Sequence, residues 1–173
     1  MFLKKNAQVS VEYIMIITIG MMIMIPGIYL FRNYAFDSND RILSSRISEI
    51  ANNILTNSEK IYYYGPPSKT TVSIDMPPGI SSMYVLSIPE NDEYYLGFKI
   101  LTTSGEKDYF FESKMPIEPE EKELCTNMPE QCNGNICECF KERYYSKGIK
   151  NFKTESSDVC SDASVCVYIG ESS

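Results

Sequence analysis

An uncharged and almost entirely apolar run from Tyr13 to Phe31 constrains this chain more than any other feature. As a helix rising ~1.5 Å per residue, this run spans ~28 Å, close to the ~30 Å hydrocarbon core of a bilayer. Buried helices of soluble domains are usually shorter and amphipathic, so the run predicts a transmembrane helix. Lys4 and Lys5 precede it, and acidic residues follow it near Asp37. The positive-inside bias therefore predicts a cytoplasmic N-terminus with the bulk of the chain outside.

The residues before the apolar run carry an unusual pattern, in which two lysines are followed by Ala7, Gln8, Ser10 and Glu12. A conventional secretory signal instead places a small-residue cleavage site after a shorter apolar core. The pattern resembles the class III signal peptide of archaeal type IV pilins and pilin-like proteins, where Gln-x-Ser-x-Glu directly follows the cut. The resemblance covers about a sixth of the chain, up to Phe31.

This resemblance implies that residues 1–7 form a leader peptide with the leader charges Lys4 and Lys5. A prepilin peptidase would cut between Ala7 and Gln8 on the cytoplasmic side of the membrane, and the mature chain would keep its apolar helix, residues 8–31. The precursor would lie in the cell membrane. The partners of the mature chain would be other pilin subunits, in a homo- or hetero-polymer that forms an extracellular filament at the cell surface.

Glu12 needs a partner, because a carboxylate at the edge of a membrane segment costs free energy. Cleavage would create a new α-amino group at Gln8, and in the pilin family the equivalent glutamate is thought to pair with the amine of a neighbouring subunit. The resemblance thus assigns assembly to Gln8, Ser10 and Glu12. The alternative is a glutamate at the level of the lipid headgroups, in the first turn of a helix, where an acid is favoured.

Residues 32–64 read as an amphipathic continuation of the helix, although Pro26 leaves its continuity open. Apolar residues recur there mostly at intervals of three and four, which predicts one buried stripe. The stripe consists of Ile42, Leu43, Ile47, Ile50, Ile54 and Ile61. Gly65-Pro66-Pro67 is expected to end the helix.

Four strand-like segments follow within residues 65–115. Each is rich in β-branched and aromatic residues and is bounded by turn residues. They are residues 70–76, 83–88, 94–102 and 108–113. The predicted fold is therefore α+β, with a long N-terminal helix packed on a four-stranded antiparallel sheet.

Residues 116–173 begin with a Pro/Glu-rich linker and contain all six cysteines. An even number of cysteines in a short polar segment outside the membrane predicts a disulfide-rich cap. These are Cys125, Cys132, Cys137, Cys139, Cys160 and Cys166. Their spacing leaves the pairing open, except that Cys137 and Cys139 are too close to pair comfortably. A zinc or iron–sulfur site is the competing interpretation, but Cys-x-x-Cys and histidine are absent, so no metal is predicted.

Composition excludes several classes of function. The chain has no histidine, which removes Ser-His-Asp and Cys-His catalysis, and its net charge of −7 argues against a specific nucleic-acid partner. No nucleotide-binding glycine loop or nucleophile elbow occurs, so we predict neither enzyme activity nor a cofactor. We expect a structural subunit of an archaeal type IV pilus-like surface filament that mediates adhesion, and the cysteine-rich tail favours a minor pilin. The alternative is a single-pass, membrane-anchored extracellular binding protein that does not polymerise.

Overall fold

The computed structural model describes residues 4–103, 105–123, 125, 132, 134–160 and 165–172, with the backbone alone for residues 4–10. The chain forms two units, residues 1–41 and residues 42–173. Helix α1 runs from Lys4 to Tyr64 and continues through Pro26. It is followed by β1 Lys69–Met76, β2 Ile80–Ile88, β3 Glu93–Thr102, β4 Gly105–Ser113, β5 Ile117–Pro119, β6 Lys122–Glu123, β7 Ile136–Phe140, α2 Glu142–Tyr145, β8 Gly148–Ser157 and β9 Cys166–Glu171.

Helix α1 ends where the sequence predicts. Gly65 adopts a left-handed conformation with φ of 73°, which a residue with a side chain rarely adopts. Its backbone N–H donates to the carbonyl oxygens of Ile61 and Tyr62, as in a glycine C-cap. Because the two residues that follow are prolines, the chain cannot resume a helix there.

The four predicted strands form, but not as one sheet. Strands β2, β3 and β4 make an antiparallel meander within a five-stranded sheet of order β4-β3-β2-β7-β6. Strand β1 instead belongs to a four-stranded sheet of order β1-β8-β9-β5, in which only the β5–β9 pair is parallel. The expectation of a single four-stranded sheet is therefore wrong, and residues beyond 115 contribute strands to both sheets.

Burial explains why β1 and β2 part. Every residue of β2 from Met83 to Ser87 is buried, so this strand is covered on both faces and has a strand on each side, β3 and β7. Strand β1 alternates, with Ile74 and Met76 buried between exposed residues. Such a strand suits the edge of a sheet, where β1 has one neighbour, β8.

One hydrophobic core lies within residues 42–173. Ile47, Ile50 and Ile54 of α1 contribute the stripe that the sequence predicts, and Ile54 is only 1% exposed. Both sheets supply the rest, for example Phe98 from β3 and Phe152 from β8. Burying each isoleucine contributes ~1.5–3 kcal/mol, so this stripe fixes the second half of α1 against the sheets.

The five-stranded sheet carries a second buried layer on its opposite face. Met83 and Val85 belong to the core, and since side chains alternate along a strand, Tyr84 and Leu86 point to the other face. The Tyr84 hydroxyl donates to Asp108 Oδ1 at 3.0 Å. Burial, reinforced by the Asp108 charge, raises the pKa of Tyr84 well above its usual range.

Candidate functional site

The most unusual surface of the described residues is the apolar part of α1. The large hydrophobic side chains between Val11 and Phe36 are 41–77% exposed. An 18-residue window of this helix has a mean hydropathy of 2.3, and none of it is buried within the protein. By length and composition the helix could cross a membrane. A continuous surface of this kind marks a site for lipid or for partner helices.

Polar and small residues within this surface are compatible with an apolar environment. The Thr18 hydroxyl donates to the Ile14 carbonyl oxygen at 2.8 Å, so its hydrogen bond is satisfied inside the helix. A Cβ placed on Gly20 or Gly27 would meet no atom within 4 Å. The chain's own described packing therefore does not require glycine at either position. Small residues of this kind let a second helix approach closely.

Charge returns at the end of the apolar run. The Arg32 guanidinium lies over the Phe36 ring, 5.4 Å from its centroid. Arg41 forms an ion pair with Asp37 at 2.9 Å, one helical turn away. Arginine stems can cover apolar surface while their charged ends reach water, so these contacts suit the boundary between an apolar and an aqueous environment.

The processing and assembly residues from the sequence all fall in α1 or before it. Lys4, Lys5, Ala7, Gln8 and Ser10 are helical, and their side chains lie outside the described part of the chain. The first three residues of the leader lie outside it entirely. The cleavage site therefore remains a prediction.

The Glu12 side chain, by contrast, is described and exposed. No cation among the described side chains pairs with its carboxylate, although Arg41 pairs with Asp37 farther along the same helix. The chain thus leaves Glu12 open to a partner from outside the described residues.

The six cysteines form three pairs within the second unit. Cys125 pairs with Cys139, Cys132 with Cys137, and Cys160 with Cys166. The first two bridges lie on the second buried layer, because Cys139 is opposite Tyr84 and Cys137 is opposite Leu86 in the β2–β7 register. The Cys160–Cys166 bridge joins the segment that follows β8 to the start of β9. Glu118 lies within 4.8 Å of both sulfurs of this last bridge, but paired cysteines are not thiolate ligands.

A network of ion pairs, which the sequence analysis missed, joins β5, β6, β7 and β8. Lys122 contacts Glu118 at 3.1 Å and also contacts Glu138, while Lys153 contacts both Glu120 and Glu155 at 2.9 Å. The only sequence signal is the alternation of Glu118, Glu120 and Lys122, which is typical of a strand, although the Pro/Glu-rich composition of this segment predicts a linker.

The pKa values of both lysines are raised, which favours their charged forms. Burial opposes the charge of Lys122, but hydrogen bonds to Glu138 and Glu118 outweigh it and raise the lysine's pKa. Hydrogen bonds to Glu120 and then Glu155 raise the pKa of Lys153. Both lysines therefore remain charged at neutral pH.

Fold and site together define an α+β protein that has one apolar N-terminal helix, long enough to anchor it in a membrane, and two disulfide-supported sheets. No family model, curated protein or solved structure matches the chain.

Proposed function

We propose that this chain is a structural subunit of an archaeal type IV pilus-like surface filament, and that it assembles through α1. The observation that carries the proposal is the apolar surface between Val11 and Phe36, which the described residues leave uncovered. In the precursor, lipid would cover this surface in the cell membrane, with the N-terminus in the cytoplasm. In the filament, helices of other subunits would cover it.

Helix bundling replaces lipid contacts with packing between helices, which favours small residues at the points of contact. Gly20 and Gly27 supply such points, because a Cβ at either position would meet no described atom within 4 Å other than the nearby backbone of α1 itself. The exposed carboxylate of Glu12 would then take part in assembly. In the pilin family, the equivalent glutamate is thought to meet the N-terminal amine of a neighbouring subunit. An ion pair of this kind strengthens as the surroundings become less polar.

The second unit, residues 42–173, would form the part of the subunit that meets the cell's surroundings and mediates adhesion. Its three disulfides suit an oxidising exterior. The concentration of cysteines near the end of the chain favours a minor rather than a major pilin.

N-terminal analysis of the native protein, extracted from membranes and from sheared filaments, tests the processing step. We expect the mature chain to begin at Gln8, after removal of residues 1–7 by a prepilin peptidase. Finished fibres whose subunits still carry Met1 would contradict the proposal. A protein found only in membranes, untrimmed and never in fibres, would instead be the single-pass anchored binding protein.

The assembly step is tested by Glu12→Gln, with Glu49→Gln as the matched control. Both residues are exposed glutamates of α1, and each substitution removes one charge. We expect both variants to reach the membrane at normal levels and only Glu12→Gln to lose filaments in electron micrographs and shear fractions. Normal filaments from Glu12→Gln would remove the assembly role of this residue.

A further inference from the structure

A cavity of about 630 Å³ opens on the second unit, and none of the residues in its walls belongs to α1. It is formed by the turn after α1, the strand β5 and the segment after it, the end of β8, and β9. Its walls are Pro66, Pro67, Pro119, Glu120, Lys122, Glu155, Ser156, Ser157, Asp158 and Tyr168. Its volume lies within the ~300–1,000 Å³ typical of small-molecule sites.

The charge of the walls is unbalanced. Three carboxylates, from Glu120, Glu155 and Asp158, face one cation, Lys122. Lys122 is already bound to two further glutamates outside the lining, Glu118 and Glu138. Glu120 and Glu155 share the single ammonium of Lys153. The cavity therefore carries net negative charge, which attracts cations and repels anions.

One charged group on the walls is open to a ligand. Asp158 is exposed, and no ion pair or hydrogen bond of its carboxylate occurs within the described ranges. Ser156 also borders the cavity, but it lies opposite the buried Val167 in the β8–β9 pair, so its side chain points to the core and not to the face that carries Glu155 and Tyr168.

Tyr168 adds an aromatic wall that is held in place. Its hydroxyl donates to the Val159 carbonyl oxygen, and in the sheet it lies opposite Glu155 of β8 and Glu118 of β5. An organic cation gains from an aromatic face and from a nearby carboxylate together. Pro66, Pro67 and Pro119 supply apolar surface for the rest of such a ligand.

A bare divalent ion does not fit these walls. Among the described residues, the only group of three potential metal ligands within 4.8 Å of one another consists of Glu118, Cys160 and Cys166, and both cysteines are bridged. The carboxylates of the cavity do not form a group of three within that distance, and the two that lie near each other, Glu120 and Glu155, already share Lys153. Dispersed carboxylates and several hundred cubic ångströms suit a larger molecule.

We propose that this cavity binds an organic cation of the guanidinium or alkylammonium class, with the charged group between Asp158, Glu155 and the Tyr168 ring. This binding activity is separate from filament assembly, because every residue of the cavity lies in the second unit. It therefore stands or falls independently of the proposed function.

The test uses the full chain in a polyoxyethylene detergent, since maltoside or phosphocholine headgroups would themselves offer a sugar or a cation. Nα-acetylarginine ethyl ester is the probe, and Nα-acetylcitrulline ethyl ester, which has neither a guanidinium nor a free amine, is its uncharged match. Binding is followed by NMR on ring-labelled tyrosine, with the Tyr168 signal assigned from Tyr168→Phe. We expect saturable shifts at Tyr168 with the arginine ester, weakened by added salt, and none with the citrulline ester.

Asp158→Asn should weaken binding of the arginine ester about tenfold, because it removes one charge-assisted contact. Asp158 is exposed and makes no ion pair or hydrogen bond among the described residues, so we expect this substitution to leave the fold intact. Glu90→Gln, in the turn between β2 and β3 and outside the cavity, is the control and should bind as the parent does. Equal binding of both esters, absence of saturable shifts at Tyr168, equal affinity in Asp158→Asn, or binding of neutral sugars instead would each overturn the proposal.

Discussion

Gly97 offers the sharpest test of the packing. It lies opposite Tyr84 in the β2–β3 pair, beneath the tyrosine ring. A Cβ added at Gly97 would lie 2.3 Å from Cε2 and 2.5 Å from Cζ of that ring. Carbon atoms in contact are normally ~3.5–4.0 Å apart, so one of the two strands or the ring must move.

The ring cannot move cheaply. Tyr84 is fully buried, its hydroxyl is bound to Asp108, and Phe110 packs edge-on against it with ring centroids 5.9 Å apart. We therefore expect Gly97→Ala to lower the free energy of unfolding by about 3 kcal/mol, the upper end of the usual cost of overpacking. For a chain of this size that corresponds to a fall in Tm of about 9 °C.

Thermal unfolding followed by near-ultraviolet circular dichroism measures this effect, because the chain has 13 tyrosines and no tryptophan to obscure them. Repeating Gly97→Ala in two Tyr84 variants separates the clash with the tyrosine ring from other causes of lost stability. In Tyr84→Phe the ring remains, so Gly97→Ala should keep its full cost. In Tyr84→Leu the ring is gone, so the same substitution should cost less than about 1 kcal/mol. Equal costs in both backgrounds, or an unchanged Tm for Gly97→Ala alone, would refute the reasoning.

Three further predictions concern the core, the buried tyrosine and the cysteines. Ile54→Ala should lower the free energy of unfolding, measured with a chemical denaturant, by about 2–5 kcal/mol, and Ile42→Ala should lower it hardly at all, since the two side chains are 1% and 54% exposed. Similar losses in both variants would mean that Ile54 is not in the buried stripe. The pKa of Tyr84 is raised in the folded state from an ordinary value of 10.0. The protonated hydroxyl therefore contributes fully to the free energy of unfolding below pH 10, and this contribution falls above pH 10 by about 1.4 kcal/mol per pH unit. Tyr84→Phe should therefore show a shallower alkaline loss of stability than the parent, and identical slopes would contradict this origin. Thiol titration in denaturant should find no free cysteine before reduction and all six after it, whereas reactive thiols in the unreduced protein would break the assigned pairing.

Local patterns predicted the first half of the fold well. The spacing of Ile47, Ile50 and Ile54 predicts their burial, because a helix places such residues on one face. The strands after residue 115 are not predicted by hydrophobic alternation, because their inward residues are not all apolar. In β8, the buried positions hold Phe152, Thr154 and Ser156, so hydrophobic alternation is faint.

Long-range pairing was beyond local patterns altogether. A short turn fixes the register of neighbouring strands such as β2 and β3, but no residue near β1 predicts that its partner is β8. The same holds for the site. Composition alone predicts the apolar helix, whereas the cavity around Tyr168 draws its walls from separate segments of the chain and has no sequence signature.

The pairing of β1 with β8 and of β5 with β9 has a consequence for biosynthesis. A ribosome delivers α1 before β8 and β9, so a half-made chain has a finished apolar helix and an incomplete four-stranded sheet. Until β8 and β9 emerge, β1 and β5 lack their neighbours and offer free hydrogen-bonding edges to any passing strand. Vectorial synthesis thus makes β8 and β9 the strands that complete the four-stranded sheet and protect its earlier strands from aggregation.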